Sequence, residues 1–180
     1  KKINVSGEHL LKLINNVLDM ARIESGRVEL NPKPHRIRDS ILNLSCIFQA
    51  DARKKNLDLR FLVEVEDEIA VFDLLRTNQI ILNLVGNAIK YTPEGGSIRV
   101  TFRQEGREGD RARYRFSVKD TGIGMSEAFQ RNVFVAFERE SRAATSGVEG
   151  TGLGLSITQR LVELMDGIIS CTSEQGKGSE

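Results

Sequence analysis

Three short stretches contain residues whose types and spacing could do chemistry. In "NLVGNAIKYT", Asn83 and Asn87 stand four apart on one face of a helical pattern, and Lys90 follows one turn later. Two side-chain amides in an otherwise apolar helix are costly unless they meet something polar. An amide oxygen suits a hard cation such as Mg²⁺, and a lysine suits phosphate as a point charge. In "DTGIGM", Asp120 closes an apolar run and is followed by Gly122 and Gly124. A carboxylate there could accept a hydrogen bond from an exocyclic amine such as that of adenine, while glycines let a planar base approach the backbone. In "GTGLGLS", Gly150, Thr151, Gly152, Leu153, Gly154 and Leu155 form a glycine-rich turn running into a helix, whose free N–H groups and positive dipole end suit an anion. Each stretch also has a plainer reading: Asp-x-Gly is a common surface turn, and the two amides could be caps or solvent-facing. The glycine spacing is neither a dinucleotide fingerprint nor a P-loop.

The elements that must position these residues follow from periodicity. Leu10, Leu13, Ile14, Val17, Leu18 and Ala21 predict an amphipathic helix over residues 5–24, capped by Ser6 and ended by Ser25-Gly26. Its narrow apolar stripe calls for a partner helix. "NPKPHR" holds two of the three prolines and reads as a linker, which places a domain boundary near residue 32. A second helix carries Ile37, Ile41, Leu44, Ile47 and Phe48, and "LDLRFLVEV" alternates as a strand. Residues 73–91 form a third helix with Asp73 as N-cap and Thr92-Pro93 as its stop. "SIRVTFRQ" and "RARYRFSVKD" make a hairpin through "EGREGD"; a short helix follows Ser126, and "IISCTS" is a last strand. Residues 140–150 show no periodicity and read as a mobile loop before the glycine-rich helix start. Irregular alternation of helices with antiparallel-looking strands predicts an α+β fold: a two-layer α/β sandwich with helices on one face of a mixed sheet, preceded by one long bundle helix.

Composition narrows the classes. A net charge of +1 gives no reason to expect nucleic acid or an anionic membrane surface as a partner. Cys46 and Cys171 lie far apart without metal-ligand spacing and read as buried, reduced thiols of a cytoplasmic protein. No run approaches the ~18 apolar residues of a membrane span. A polar start at Lys1 without Met, and an end at "GKGSE", read as a piece of a longer protein whose membrane anchor, if it has one, would lie in segments absent here.

In order and spacing the motifs resemble the ATP-binding domain of sensor histidine kinases, within the Bergerat-type fold shared with gyrase, Hsp90 and MutL. "NLVGNAIKYT" is similar to the N box, "DTGIGM" to the first glycine box, "VFVAFER" to the phenylalanine box and "GTGLGLS" to the second glycine box. "GEHLLKLINNVLDMARIESGRVEL" resembles the second helix of the dimerisation and phosphotransfer hairpin, so residues 1–31 would be that helix and 32–180 the ATP-binding domain. The resemblance implies that Asp120 binds the adenine amine with Gly122 and Gly124 admitting the base. It implies that Asn87, with Asn83, holds Mg²⁺, that Lys90 contacts phosphate, and that Tyr91 lines the pocket. Gly150 to Leu155 would meet the phosphates, residues 139–150 would be an ATP lid, and Arg139 or Arg142 could reach the γ-phosphate. Phe134 and Phe137 would anchor the lid in the core. ATP-hydrolysing relatives carry a glutamate general base where this chain has Asn83, so hydrolysis should be slow and the phosphoryl group free to pass to a protein. Neither His9 nor His35 sits in an acceptor context, so the phosphorylated histidine would lie on a first helix absent here. The intact parent would be a homodimer passing its phosphoryl group to a response-regulator receiver domain. A hydrolysing ATPase of the gyrase type and a degenerate signalling scaffold are the rival readings.

Overall fold

The computed structural model describes residues 2–138 and 150–180; the side chains of residues 2–6, 8, 9, 12 and 24 lie outside that description, as does the whole of the expected lid up to 149. The chain runs α1 (Lys2–Glu24), β1 (Lys33–Arg36), α2 (Ile37–Lys54), β2 (Asp58–Glu64), β3 (Ile69–Phe72), α3 (Leu74–Tyr91), β4 (Ser97–Glu108) and β5 (Arg111–Asp120). There follow α4 (Glu127–Gln130), the helix Gly154–Leu164, here α5, and the two-residue strands β6 (Ser173–Glu174) and β7 (Gly178–Ser179). β2, β4, β5, β7 and β6 form one five-stranded sheet in that order, and β1 pairs with β3 beside it. β2 and β4 are parallel while the other pairs are antiparallel. The sheet is therefore mixed, and α3 lies on the crossover that a parallel pair requires. This is the α+β architecture that the periodicity predicts.

The inward-facing residues of α2, α3 and the sheet share one core. Ile37, Ile41, Leu44 and Phe48 from α2 meet Ile81, Val85, Ala88 and Ile89 from α3 over Ile98 and Val100 of β4. Burying side chains of this size contributes about 1.5–3 kcal/mol each, which is what holds α3 against the sheet. A second core joins Leu153, just before α5, and Ile157 and Leu161 of α5 to Leu13, Met20 and Ile23 of α1 and Ile80 of α3. Polar ties reinforce this contact: Asn16 Nδ2 donates to Thr151 Oγ1 at 3.2 Å, and Gln79 Nε2 donates to Asp19 Oδ2 at 2.9 Å. The opposite side of α1, with Leu10, Ile14, Val17 and Leu18, is exposed.

Several local expectations need correction. α1 begins at Lys2, so Ser6 lies inside the helix instead of capping it. The proline-bearing segment is no linker: Lys33 to Arg36 pair with Phe72 to Ile69, a strand the sequence pattern does not show. Pro34 is tolerated because its strand has a partner on one side only. β4 runs on to Glu108 past an irregularity at Gln104 and Gly106, which leaves Gly109 and Asp110 as the turn. Of "IISCTS", only Ser173 enters a strand, and Ile168 is 96% exposed. Ile47, Leu75 and Leu82 face outward, and Cys46 is exposed. His35 rests its ring on Phe72, with centroids 5.2 Å apart. No helix among the described residues is long and apolar enough to cross a membrane.

Asp73 caps α3 as expected, and does more. Its Oδ1 accepts from the Arg76 N–H at 3.0 Å and its Oδ2 from the Asn31 N–H at 2.9 Å, so one carboxylate fixes both the helix start and the approach of the preceding chain. Burial alone would raise its pKa, but these bonds and the Arg76 charge outweigh it and hold the carboxyl below its usual value. A depressed carboxyl contributes stability that is present above its unfolded pKa and lost as pH falls through the folded one. Asp73→Ala should cost about 1–2 kcal/mol in denaturant unfolding at neutral pH, with the difference shrinking as the solution is acidified below the usual carboxylate range.

Candidate functional site

The C-terminal half of α3 and the end of β5 meet at the same place. Asp120 is the last residue of β5, opposite Ser179 of β7. Its carboxylate is half-buried and accepts the Gly122 N–H at 2.7 Å, with a further bond from the Ser179 N–H. Burial is the larger effect and raises its pKa despite those donors. The loop after it is docked on α3, since the Ile123 N–H donates to the Tyr91 carbonyl at 3.2 Å. A Cβ on Gly122 would stand 2.6 Å from Asp120 Oδ1 and 2.8 Å from the Tyr91 oxygen, so only glycine fits there. Gly124, at φ 62°, lies against the Glu174 carbonyl, where a side chain would collide. Its requirement for glycine comes from the neighbouring backbone; nothing in this geometry reserves the position for a ligand. Gly178, at φ 111°, lies equally close to the Asp120 carbonyl.

At the same end of α3, Lys90 Nζ stands 4.8 Å over the Tyr91 ring. Gly150 is adjacent: a Cβ there would be 2.7 Å from Lys90 Nζ and 3.8 Å from the Tyr91 hydroxyl. Thus the first residue of the glycine-rich stretch lies beside the lysine and tyrosine picked out in the helix. Within that stretch, Gly152 at φ 71° donates no room to a side chain, because the Phe137 backbone lies 2.9 Å from where a Cβ would be. The Leu153 side chain is core, and its N–H donates to Thr151 Oγ1 at 3.3 Å. α5 then opens at Gly154 and Leu155 without a side-chain cap. Its first N–H groups have no intrahelical partners, so this end of the helix offers donors and a positive dipole end.

The two asparagines have different fates. Asn83 Nδ2 donates to Thr158 Oγ1 at 2.8 Å, and its oxygen faces Gly154, so this amide ties α3 to α5. Asn87 makes no side-chain hydrogen bond among the described residues and is half-buried. An uncommitted amide oxygen one turn before Lys90 fits a hard cation; a committed one fits it less well. Phe137 departs from expectation: it is 65% exposed, has φ 66°, and anchors through its backbone, whose N–H donates to the Gly152 carbonyl at 2.9 Å. In that stretch Val133 is the buried residue and Phe134 is half-buried. Arg139 and Arg142 lie outside the described residues.

Some participants carried no sequence signal. Ser179 supplies a donor to Asp120 from 59 positions away in the chain, counted by residue number, and Thr158 is no different from any helix-surface threonine until α3 is brought beside it. Cys171 is near enough to Asp120 that burial first, and the carboxylate's charge second, push its thiol up.

Comparison with known proteins fits this geometry. Residues 72–180 match the family described as "Histidine kinase-, DNA gyrase B-, and HSP90-like ATPase", and the chain belongs to that family. Among its relatives, the virulence sensor protein BvgS of Bordetella bronchiseptica is 42% identical over 179 residues, covering 97% of this chain and 14% of that protein. The sensor protein GacS of Pseudomonas syringae is 40% identical over 179 residues, covering 99% of this chain and 20% of that protein. The chain therefore spans a fifth or less of the length of these two relatives. The structure of full-length ShkA in complex with AMPPNP superposes with TM-score 0.79 at 34% identity, over 97% of this chain and 35% of that one. The nucleotide-free catalytic domain of the histidine kinase ThkA superposes with TM-score 0.67 at 27% identity, over 83% of this chain and 91% of that one.

Two outcomes test this site. Gly124→Ala or Gly178→Ala should each cost about 3 kcal/mol or more in unfolding, since a side chain at positive φ would also strike backbone. Asp120→Asn should do the reverse. A carboxyl whose pKa is raised by folding contributes stability only while protonated, and loses it as pH rises through the folded value. The ionised Asp120 therefore costs stability at neutral pH, and Asp120→Asn should raise the thermal midpoint there, with the gain fading in acid.

Proposed function

We propose that this chain is the ATP-binding catalytic region of a sensor histidine kinase, with residues 1–31 as the second helix of its dimerisation and phosphotransfer hairpin and 32–180 as the nucleotide-binding domain. The observation that carries the reading is the convergence of Asp120, Lys90, Tyr91 and Gly150 at the C-terminal end of α3, with the uncapped start of α5 beside Asn83 on the same helix. A half-buried carboxylate that costs stability is hard to explain as a surface turn, and is explained by a ligand that donates to it. The ShkA structure was solved with AMPPNP, which supports ATP as the nucleotide.

In this reading Asp120 accepts a hydrogen bond from the adenine amine, and Gly122 leaves space beside it. Gly124 and Gly152 hold the flanking loops close, Tyr91 lines the pocket, and Lys90 with the N–H groups of Gly154 and Leu155 faces the phosphates. Asn87 holds Mg²⁺, and Asn83 sets the distance between α3 and α5 that brings both sets of groups to the ligand. ATP supplies the phosphoryl group, and Mg²⁺ neutralises charge as it leaves. Asn83 has no basic lone pair with which to take a proton from water, which favours transfer to a protein over hydrolysis. The acceptor histidine would be supplied by a phosphotransfer helix of the parent, and a receiver domain takes the phosphoryl group next. ThkA, a structural neighbour, was solved with the response regulator TrrA, and this supports such a partner. Dimerisation of the parent would cover the exposed side of α1.

Calorimetric titration with AMPPNP, with and without Mg²⁺, tests the reading. The unmodified chain should bind, Asp120→Asn should weaken binding about 100-fold, and Asn87→Ala should abolish the magnesium dependence. A folded chain with no affinity for AMPPNP would sink the proposal. Rapid steady-state hydrolysis of ATP would instead move the chain to the hydrolysing branch.

A further inference from the structure

The residue that holds the end of α3 in place lies on neither α3 nor the nucleotide loops. Lys55 directly follows α2, and its half-buried ammonium donates to three main-chain carbonyls: Ile89 at 2.8 Å, Lys90 at 3.2 Å and Thr92 at 2.8 Å. These are carbonyls that the last turn of a helix leaves without N–H partners, and they form the negative end of its dipole. A lysine offers three N–H donors and a full charge, so one side chain satisfies all three acceptors. The remaining carbonyl of this turn, that of Tyr91, is the one that receives the Ile123 N–H and lies beneath Gly122. Around a single turn, then, Lys55 fixes the carbonyls on one side while the Asp120 loop hangs from the other. The loop between α2 and β2 is closed onto the same region, because the Gly95 N–H donates to the Lys55 carbonyl at 3.3 Å.

We infer that Lys55 is a positioning residue for nucleotide binding: it sets the placement of the Tyr91 carbonyl, and through it the loop carrying Gly122 and the carboxylate of Asp120, without touching the ligand itself. The inference rests on the reading of this site as an ATP site. Without the ammonium, the last turn of α3 loosens, the Ile123 bond weakens, and the adenine floor loses its fixed relation to Lys90. α3 as a whole stays folded, because Ile81, Val85 and Ala88 are held by the core.

The test measures AMPPNP affinity with Mg²⁺ on the full chain, together with amide hydrogen exchange at Ile123 and at Val85 in the middle of α3. Lys55→Met keeps the aliphatic stem and should weaken binding about tenfold. Ile123 exchange should accelerate by a similar factor while Val85 stays unchanged. Lys55→Arg keeps the charge and several donors and should stay within about threefold of the unmodified chain. Lys55→Gln, with two N–H donors, should fall between the two and preserves the test if Lys55→Met does not fold. If the unmodified chain binds and both uncharged variants bind equally well, the positioning role is wrong while the ATP reading stands. Equal acceleration at Ile123 and Val85 would also overturn it, since that marks a general loss of stability. No binding by the unmodified chain overturns both.

Discussion

A carboxylate at the end of β5 is withdrawn from bulk water and has to be supplied with donors there, and much of the fold is organised around that constraint. Burial works against the charge of Asp120, and the protein returns part of the lost hydration through the N–H groups of Gly122 and Ser179. Both donors need glycine nearby. Gly122 itself is pressed between the carboxylate and the Tyr91 oxygen, and Gly178 brings the last strand against the Asp120 carbonyl. The sheet order that places β7 next to β5, and the core that holds α3 over β4 and β5, serve one polar group that would otherwise be a liability.

α3 is the element on which the two halves of the site agree. Its buried side packs on α2 and β4, its start is fixed by Asp73, and its end is gripped by Lys55. Asn83 and Ile80 connect it to α5, so the uncapped start of α5 inherits its position from the same helix. A rigid helix between two loop-built surfaces lets the Asp120 side and the α5 side keep a fixed separation although each surface is made of short, irregular segments. α1 adds a second layer to this, since Asn16 holds the Thr151 hydroxyl that receives the Leu153 N–H.

Local pattern sufficed where an element is long and one-sided. α2 and α3 were readable from helical periodicity, and Asp73 was readable as a cap because capping is a local bond. β1 and β3 were not: four residues bearing a proline, and four residues after a run of acids, give no alternation to detect, and each exists only because the other is there. β6 and β7 are two residues long and belong to the sheet through partners far away in sequence. The chemistry-bearing types at Asn87, Lys90, Asp120 and Gly122 were legible because the spacing was unusual for a plain core. The division of labour between Asn83 and Asn87 was not, because Thr158 is 75 positions from Asn83. Phe137 misled for a related reason: an aromatic in an apolar run implies burial, and a left-handed backbone turned it outward.

The pairing of Asp120 with Ser179 also has a consequence for how the protein is made. β5 is complete some 58 positions before β7 begins, as residue numbers show, and every other site group lies between them or earlier. On a ribosome, α2, β2, α3, β4 and β5 emerge and can collapse onto their shared core while the donor for Asp120 is still unsynthesised. During that interval the carboxylate has only Gly122 and water. The nascent chain thus has its scaffold before Asp120 has its second donor, and that bond forms only when β7 has been made.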